Sequence, residues 1–155
     1  MTIPAGFEAA IVAAEAERHG CDVVPDVTSR QVKGHRGLFT SYLVRTTTLY
    51  VNGRLCLLKR AKVPADTPEG ARRYAHFDFR TNRFKDKEFV VLRIECGDSS
   101  SFYILTMSEL LEWYGEDAAR ISLGIPVPEY PIAYCHAGFD WAACKNAWHI
   151  IRPLS

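Results

Sequence analysis

The dipeptide Asn52-Gly53 is the sequence feature that most constrains the fold. Both residues accept the positive φ angles of a tight two-residue turn, so the pair is a strong hairpin signal. It separates two runs rich in β-branched and aromatic residues, at positions 38–51 and 55–63. We therefore predict that these runs are the two arms of a long antiparallel hairpin.

Other elements are predicted on both sides of this hairpin. Thr2 and Pro4 open a helical pattern whose apolar face includes Phe7 and which is stopped by Gly20. A short strand over 21–27 contains Pro25, which suits an edge strand or a bulge. After the hairpin, a short helical turn is predicted at 70–75, a brief strand at 77–79, and a second strand hairpin at 89–96 and 102–106.

The last part of the chain is predicted to be mainly helical and irregular. Ser108 is a suitable N-cap for a helix over residues 109–114. The segment containing Pro126, Pro128 and Pro131 is predicted to form no regular element, because proline lacks the N–H that ladders and helices need. A final helix or part-helix is predicted over residues 139–151.

This order of elements predicts an α+β fold, with a central, mostly antiparallel or mixed sheet of about five strands flanked by helices. The 155 residues suit one domain that spans the whole chain, 1–155. Its 48% apolar and 24% charged residues are typical of a globular protein that folds without a metal or a disulfide.

The five cysteines indicate a reducing compartment, because they are scattered, odd in number and form no C-x-x-C pair. The N-terminal residues lack the basic region and apolar core of a signal peptide. No apolar run approaches the length of a membrane span. We therefore expect a cytoplasmic protein with no membrane partner.

Charge is distributed unevenly along the chain, although the net charge is only +1. Residues 54–93 hold eleven basic and five acidic residues, and residues 94–155 hold three basic and eight acidic ones. A basic middle suits an anionic partner such as DNA or another nucleic acid. It equally suits a homo-oligomer in which the basic middle of one subunit contacts the acidic last third of another.

The predicted element order resembles the PD-(D/E)xK superfamily of restriction-endonuclease-like nucleases over residues 7–114. The resembling segments are Leu57-Leu58-Lys59-Arg60 on the second hairpin arm and the paired strands at 89–94 and 102–105. In that family, acidic residues on the hairpin bind a divalent metal and a lysine positions or activates the attacking water. The resemblance implies that Lys59 corresponds to this lysine.

The metal ligands of that family are missing at the matching positions. Leu57 stands two residues before Lys59, where a carboxylate or glutamine is expected, and the first arm offers Ser41, Tyr42 or Arg45 in place of an aspartate. The resemblance therefore implies a nuclease-like domain that has lost its metal site, with Lys59, Arg60 and Lys62 contacting phosphate. The structural alternative is that Lys59 is an ordinary lysine on a strand edge.

Two further hypotheses remain open. In the first, the chain is an active Mg²⁺-dependent endonuclease whose carboxylates have moved to Asp26 and Glu95 and act with Lys59. A charge that alternates outward from a half-buried strand is the simpler explanation of Glu95. In the second, the chain is a protein-interaction or assembly module.

Basic and aromatic residues alternate between positions 72 and 89, a pattern that suits a nucleic-acid surface. Phe77 and Phe79 share one strand face and are more simply explained as core residues. The cations predicted to bind nucleic acid in this stretch are Arg72, Arg73, Arg80 and Arg83.

Zinc is a weaker hypothesis. Cys135, His136, Cys144 and His149 have suitable side chains, but their spacing matches no familiar zinc motif, and buried thiols explain them as well. We predict no cofactor unless the chain is an active Mg²⁺ nuclease, and we assign no cysteine nucleophile.

Overall fold

The computed structural model describes residues 8–33, 41–63, 73–80, 87–115, 119–127 and 141–154. Within these ranges, side chains are described except at 27–33, 41–47, 73, 80, 126 and 127. No helix in these ranges is long and apolar enough to cross a membrane.

The described elements are seven strands of eight to eleven residues, three helices and a 3-10 turn. They are, in chain order, α1 Glu8–Arg18, β1 Val23–Lys33, β2 Ser41–Val51, β3 Arg54–Val63, β4 Arg73–Arg80, β5 Phe89–Cys96, β6 Ser99–Thr106, α2 Met107–Tyr114, β7 Arg120–Val127, α3 Trp141–Cys144 and a 3-10 turn Trp148–Ile150.

Five of the strands form a mixed sheet in the order β1-β2-β3-β5-β6. All of its neighbouring strands are antiparallel except β3 and β5, which run parallel. The remaining strands, β4 and β7, form a second, antiparallel sheet, here called the small sheet. The predicted α+β class and the predicted sheet of about five strands are confirmed.

The hairpin turn predicted at Asn52-Gly53 is confirmed, with φ angles of 51° and 80°. The side chain of Asn52 also links distant parts of the chain. Its amide donates to the carbonyl of Ile151 at 2.6 Å, and its oxygen accepts from the backbone N–H of Asp22 at 2.9 Å. One residue thus closes the turn and holds both β1 and the C-terminal segment beside it.

Strand β1 is the edge strand that Pro25 predicted, but it is longer than expected and continues to Lys33. It pairs with β2 over eleven residue pairs, whereas β2 is registered with β3 only at Leu49–Val51. The other eight pairs form a two-stranded extension, the β1–β2 ribbon (residues 26–33 and 41–48). At about 3.4 Å per residue, the ribbon is about 27 Å long.

The two faces of the five-stranded sheet are covered differently. On the face named here the small-sheet face, Val90, Leu92 and Ile94 pack against the small sheet and α2. On the other, the α1 face, Phe89 and Val91 pack against α1, Trp148 and Ile151. This division follows from the strict alternation of side chains along β5.

Two predicted boundaries in the second half of the chain are wrong. The N-cap of α2 is Thr106, whose hydroxyl accepts from the backbone N–H of Glu109 at 3.1 Å, and not Ser108. The final helix predicted over 139–151 is replaced in its described part by α3 and the separate 3-10 turn. Thr106 and Ser108 are both suitable N-cap residues, and it is the Thr106 hydroxyl that makes the capping hydrogen bond.

The small sheet was largely missed from the sequence. The brief strand predicted at 77–79 is the eight-residue β4, and the helical turn predicted at 70–75 is strand from Arg73 onward. The segment expected to be irregular around Pro126 is β7 as far as Val127. A proline is tolerated here because it lies near the end of a strand in a two-stranded sheet, where a missing N–H costs little.

Candidate nucleic-acid interface

Strand β3 directs consecutive side chains to opposite faces of the sheet. Leu57, Ala61 and Val63 contact the core on the small-sheet face, so Lys59, which shares their parity, belongs to that face. Lys59 is half-buried, and its parallel register partner is the fully buried Leu92. The lysine implied by the nuclease resemblance therefore lies beside apolar core and not on an open basic surface.

Arg60 and Lys62 have the opposite parity and are exposed on the α1 face. The Arg60 side chain is 56% exposed, and its Nη1 lies 3.8 Å from Oε2 of Glu95. An exposed pair at this distance contributes little to stability, because solvent screens it and both side chains must be ordered. Arg60 thus remains available to bind an anion from solvent.

Glu95 lies on the α1 face with Arg60. Besides Arg60, its carboxylate lies 3.6 Å from Nη2 of Arg93, and Lys62 is its register partner on β3. Lys59 faces the other side of the sheet, so the structure does not bring Lys59 and Glu95 together in one site.

Asp26 is registered opposite Thr48, and its backbone carbonyl accepts from the Thr48 hydroxyl at 3.4 Å. The sheet register places it on the same face as Leu57 and Lys59, but on β1, with β2 in between. Two strand spacings amount to about 10 Å. Asp26 and Lys59 therefore share a face without lying side by side.

These positions do not fit the metal site of the resembling nucleases. Leu57 is 4% exposed and packs in the core where a ligand would be needed. Among the residues that the structure describes, no group of three or more His, Cys, Asp or Glu side chains is placed to hold a metal ion. We therefore derive no catalytic step through Mg²⁺ from this part of the chain.

A buried charge cluster on the α1 face was not anticipated. Arg93 is only 3% exposed, and its Nε and Nη2 each donate to Glu8 of α1 at 2.7 Å. Its Nη1 donates to the Ser100 hydroxyl at 2.9 Å. The hydrogen bonds to Glu8 are the main reason why the pKa of Arg93 is raised above its usual value. A bidentate pair of this kind fixes α1 on the sheet. The sequence signal is the lone arginine in the otherwise apolar run 89–94.

The arginines predicted to bind nucleic acid around β4 are partly outside the described residues. Arg72 and Arg83 lie outside them, while Arg73 and Arg80 begin and end β4 and are registered with Val127 and Arg120. The prediction that Phe77 and Phe79 are core residues is confirmed, since each is 3% exposed.

The cysteines and histidines considered for zinc are only partly described. Cys135 and His136 lie outside the described residues, Cys144 packs half-buried beside the core, and His149 is exposed in the 3-10 turn. Burial raises the pKa of the Cys56 thiol to about 12, and it also raises the pKa of Cys21. Both thiols are thus protonated near neutral pH, which is the unreactive form.

Basic residues outnumber acidic ones at one end of the five-stranded sheet, although Glu95, the register partner of Lys62, lies among them. Since β1 and β3 both run antiparallel to β2, their C-terminal ends lie at the same end of the sheet, opposite the Asn52-Gly53 turn. The β1–β2 ribbon extends in that direction, and its only acidic residue is Asp26. The set of cations called here the basic end comprises Arg30, Lys33 and Arg45 of the ribbon with Arg60 and Lys62 of β3.

No protein-family model, no curated protein and no solved structure matches this chain. The likeness to restriction-endonuclease-like proteins thus rests on the order of elements and on the segment around Lys59.

Proposed function

We propose that this chain is a nuclease-like domain that binds nucleic acid through its basic end and does not cleave it. The observation that carries the proposal is the placement of exposed Arg60 and Lys62 at the end of the sheet from which the β1–β2 ribbon extends. Cations gathered at one end of a sheet bind a phosphate backbone mainly by releasing its counterions.

The shape of the ribbon supports this proposal. A two-stranded ribbon is one of the two elements that fit the major groove of B-DNA, which is about 12 Å wide. The eight register pairs beyond the three-stranded part of the sheet provide a ribbon long enough to follow a groove while β3 contacts the adjacent backbone. Arg30, Lys33 and Arg45 give this element a net positive charge against Asp26.

The positions of the predicted catalytic residues support binding without cleavage. The sheet separates Lys59 from Glu95, Asp26 lies two strands away, and Leu57 is part of the core. A metal-dependent nuclease needs convergent carboxylates that hold the ion and its water against the phosphate. A binding role uses only the surface cations.

The test of binding is a salt titration of affinity for a fluorescent 20-mer, as single strand and as duplex, by anisotropy. Because each phosphate contact contributes to the slope of log affinity against log salt, the Arg60→Gln/Lys62→Gln variant should lose about 2 from that slope. Arg18→Gln/Arg152→Gln is a control of equal net charge at distant exposed positions, and its slope should match the wild type. Equal effects of the two double variants, or no binding by the wild type, would contradict the proposal.

Cleavage is tested separately by incubating the protein with plasmid and Mg²⁺ or Mn²⁺. We expect the plasmid to remain supercoiled in both metals. Nicking or linearisation that disappears in a Lys59→Ala variant would instead establish the active endonuclease.

A further inference from the structure

The outer face of the small sheet carries aromatic and charged side chains that the core does not use. In β4, Ala75, Phe77 and Phe79 are buried, so the residues between them face solvent. The register pairs on this outer face are Tyr74 with Pro126, His76 with Gly124, Asp78 with Ser122, and Arg80 with Arg120. The face is thus aromatic towards one end and charged towards the other.

Tyr74 and His76 form an exposed aromatic pair at the first end. Tyr74 is 43% exposed, and its ring centroid lies 6.3 Å from that of His76, with 39° between the planes. Gly124 opposite them has no side chain, and a Cβ there would lie 3.7 Å from Cδ1 of Tyr74 and 3.8 Å from the His76 ring. The space left by Gly124 belongs to a groove of about 370 Å³ that Asp78 and Ser122 also line.

The second end of this face has an excess of positive charge. Nε of Arg120 lies 3.2 Å from Oδ1 of Asp78, so Arg120 forms an ion pair with this carboxylate. Arg80 is registered directly opposite Arg120, so two arginine positions share the neighbourhood of one carboxylate. Like charges placed opposite each other on a sheet are unfavourable, and an anion bound beside them relieves the repulsion.

We propose that this face binds single-stranded nucleic acid, with an unpaired base stacked on Tyr74 and His76 over Gly124 and a backbone phosphate at the arginine end. The inference rests on the proposed function and adds a second site, for an unpaired stretch of nucleic acid, to the groove contact proposed for the β1–β2 ribbon. Aromatic rings accept any base, because every base has a π face, and they need the base to be unpaired. Two arginine positions registered opposite each other beside one aspartate favour a phosphodiester over an uncharged aromatic ligand.

The test separates base contacts from phosphate contacts. Anisotropy titrations compare a single-stranded 12-mer of thymidine with an abasic 12-mer of the same charge. The wild type should bind the base-bearing strand about tenfold more tightly, the effect of one modest stacking contact. Tyr74→Leu should abolish that preference, while Tyr74→Phe should keep it because the ring remains.

Gly124→Val is the second variant, since it fills the groove without touching the core. Gly124 has no positive φ, and valine is favoured in strands, so the fold should be kept while the preference for bases is lost. Trp113→Leu, which removes an aromatic residue that is 55% exposed on α2, is the control and should leave the preference unchanged. Thermal unfolding of each variant verifies that it folds.

The outcomes distinguish this inference from the proposed function. Salt-dependent binding of both strands with equal affinity overturns the stacking site and leaves the basic end in place. A preference for bases that survives in both Tyr74→Leu and Gly124→Val also overturns it, because the stacked base would then lie elsewhere. Binding of neither 12-mer overturns the stacking site, and the proposed function is overturned as well only if the duplex 20-mer also fails to bind.

Discussion

The α1 face and the small-sheet face of the same five strands are closed by different physical means. On the small-sheet face, large apolar side chains of β4 and β7 meet those of β5 and β6 without a buried charge among the described residues. On the α1 face, the helix contributes mainly alanines and a valine, and its contact is supplemented by the buried Glu8–Arg93 pair. The first face depends on apolar area, and the second also depends on a specific geometry.

The difference explains where functional groups are found on this domain. On the α1 face, the helix buries three alanines and one valine, and Arg60 and Lys62 at the end of β3 are exposed to solvent. The inner face of the small sheet packs against the five-stranded sheet. Its outer face is exposed and carries Tyr74 and His76. The element that packs on each face thus determines which side chains remain exposed there for a partner.

Removal of a large side chain from the small-sheet face should have the largest effect on stability. Phe77→Ala deletes a ring that is 3% exposed, and we expect it to lower the free energy of unfolding by about 3–5 kcal/mol. Urea denaturation followed by circular dichroism measures the change. A loss below about 1 kcal/mol would mean that the two faces do not differ in the way described.

Neutralisation of Glu8 in its ion pair with Arg93 should have the next largest effect on the free energy of unfolding. Glu8→Gln leaves Arg93 buried with only Glu95 nearby, so we expect a loss of about 2 kcal/mol, below the roughly 3–5 kcal/mol of a fully buried pair. Arg93→Met should lower the free energy of unfolding clearly less in the Glu8→Gln background than in the wild type. In that background no Glu8 carboxylate is left without its partner. Additive costs in this double-mutant cycle would contradict a specific ion pair.

The helix on the small-sheet face, α2, provides a smaller and more local test. Its start is fixed by the Thr106 hydroxyl, and Met107 and Leu110 bury its apolar side. Thr106→Ala should cost about 1 kcal/mol, the usual value of an N-cap, whereas Ser108→Ala should be nearly neutral. If Ser108→Ala is the more costly change, the helix begins where the sequence first suggested.

Alkaline pH should reveal the buried thiol of the α1 face. Burial raises the pKa of Cys56 in the folded state to about 12, above its ordinary value near 9. The stability that comes from burying the neutral thiol is therefore fully present below pH 9 and is lost as pH rises towards 12. At about pH 9.5 the loss for this one group remains under about 1 kcal/mol. The fall in unfolding free energy between pH 8 and pH 9.5 should be smaller in Cys56→Ala. Identical pH dependence in the two proteins would show that the thiol ionises freely in the folded state.

Short-range signals in the sequence predicted much of the main sheet. The Asn52-Gly53 turn correctly predicted the central hairpin, and the mainly apolar run 89–96 predicted β5 with its correct bounds. The small sheet was missed because β4 and β7 are separated by about forty residues, and pairing at that distance leaves no local pattern. The length of β1 was underestimated because its last residues, as far as Lys33, are stabilised by pairing with β2, which their own composition does not reveal.

The candidate site was harder to predict because it depends on which face of its strand each residue occupies. Adjacent residues such as Lys59 and Arg60 lie on opposite faces of a strand, and the sequence alone does not say which face is covered. Which face is buried depends on the small sheet, and the sequence did not predict that sheet. The alternation of Tyr74 and His76 with three buried residues was the signal for the exposed aromatic pair.

The single parallel contact in the main sheet has a consequence for how the chain folds. The β2–β3 and β5–β6 hairpins join neighbouring segments and close quickly, whereas β3 and β5 meet only after a crossover that includes β4. Contacts between distant segments cost loop entropy before they contribute stability, and they slow folding. We therefore expect docking of the two hairpin units to limit the refolding rate, with Leu92, at the centre of that seam, among the residues whose truncation slows refolding most.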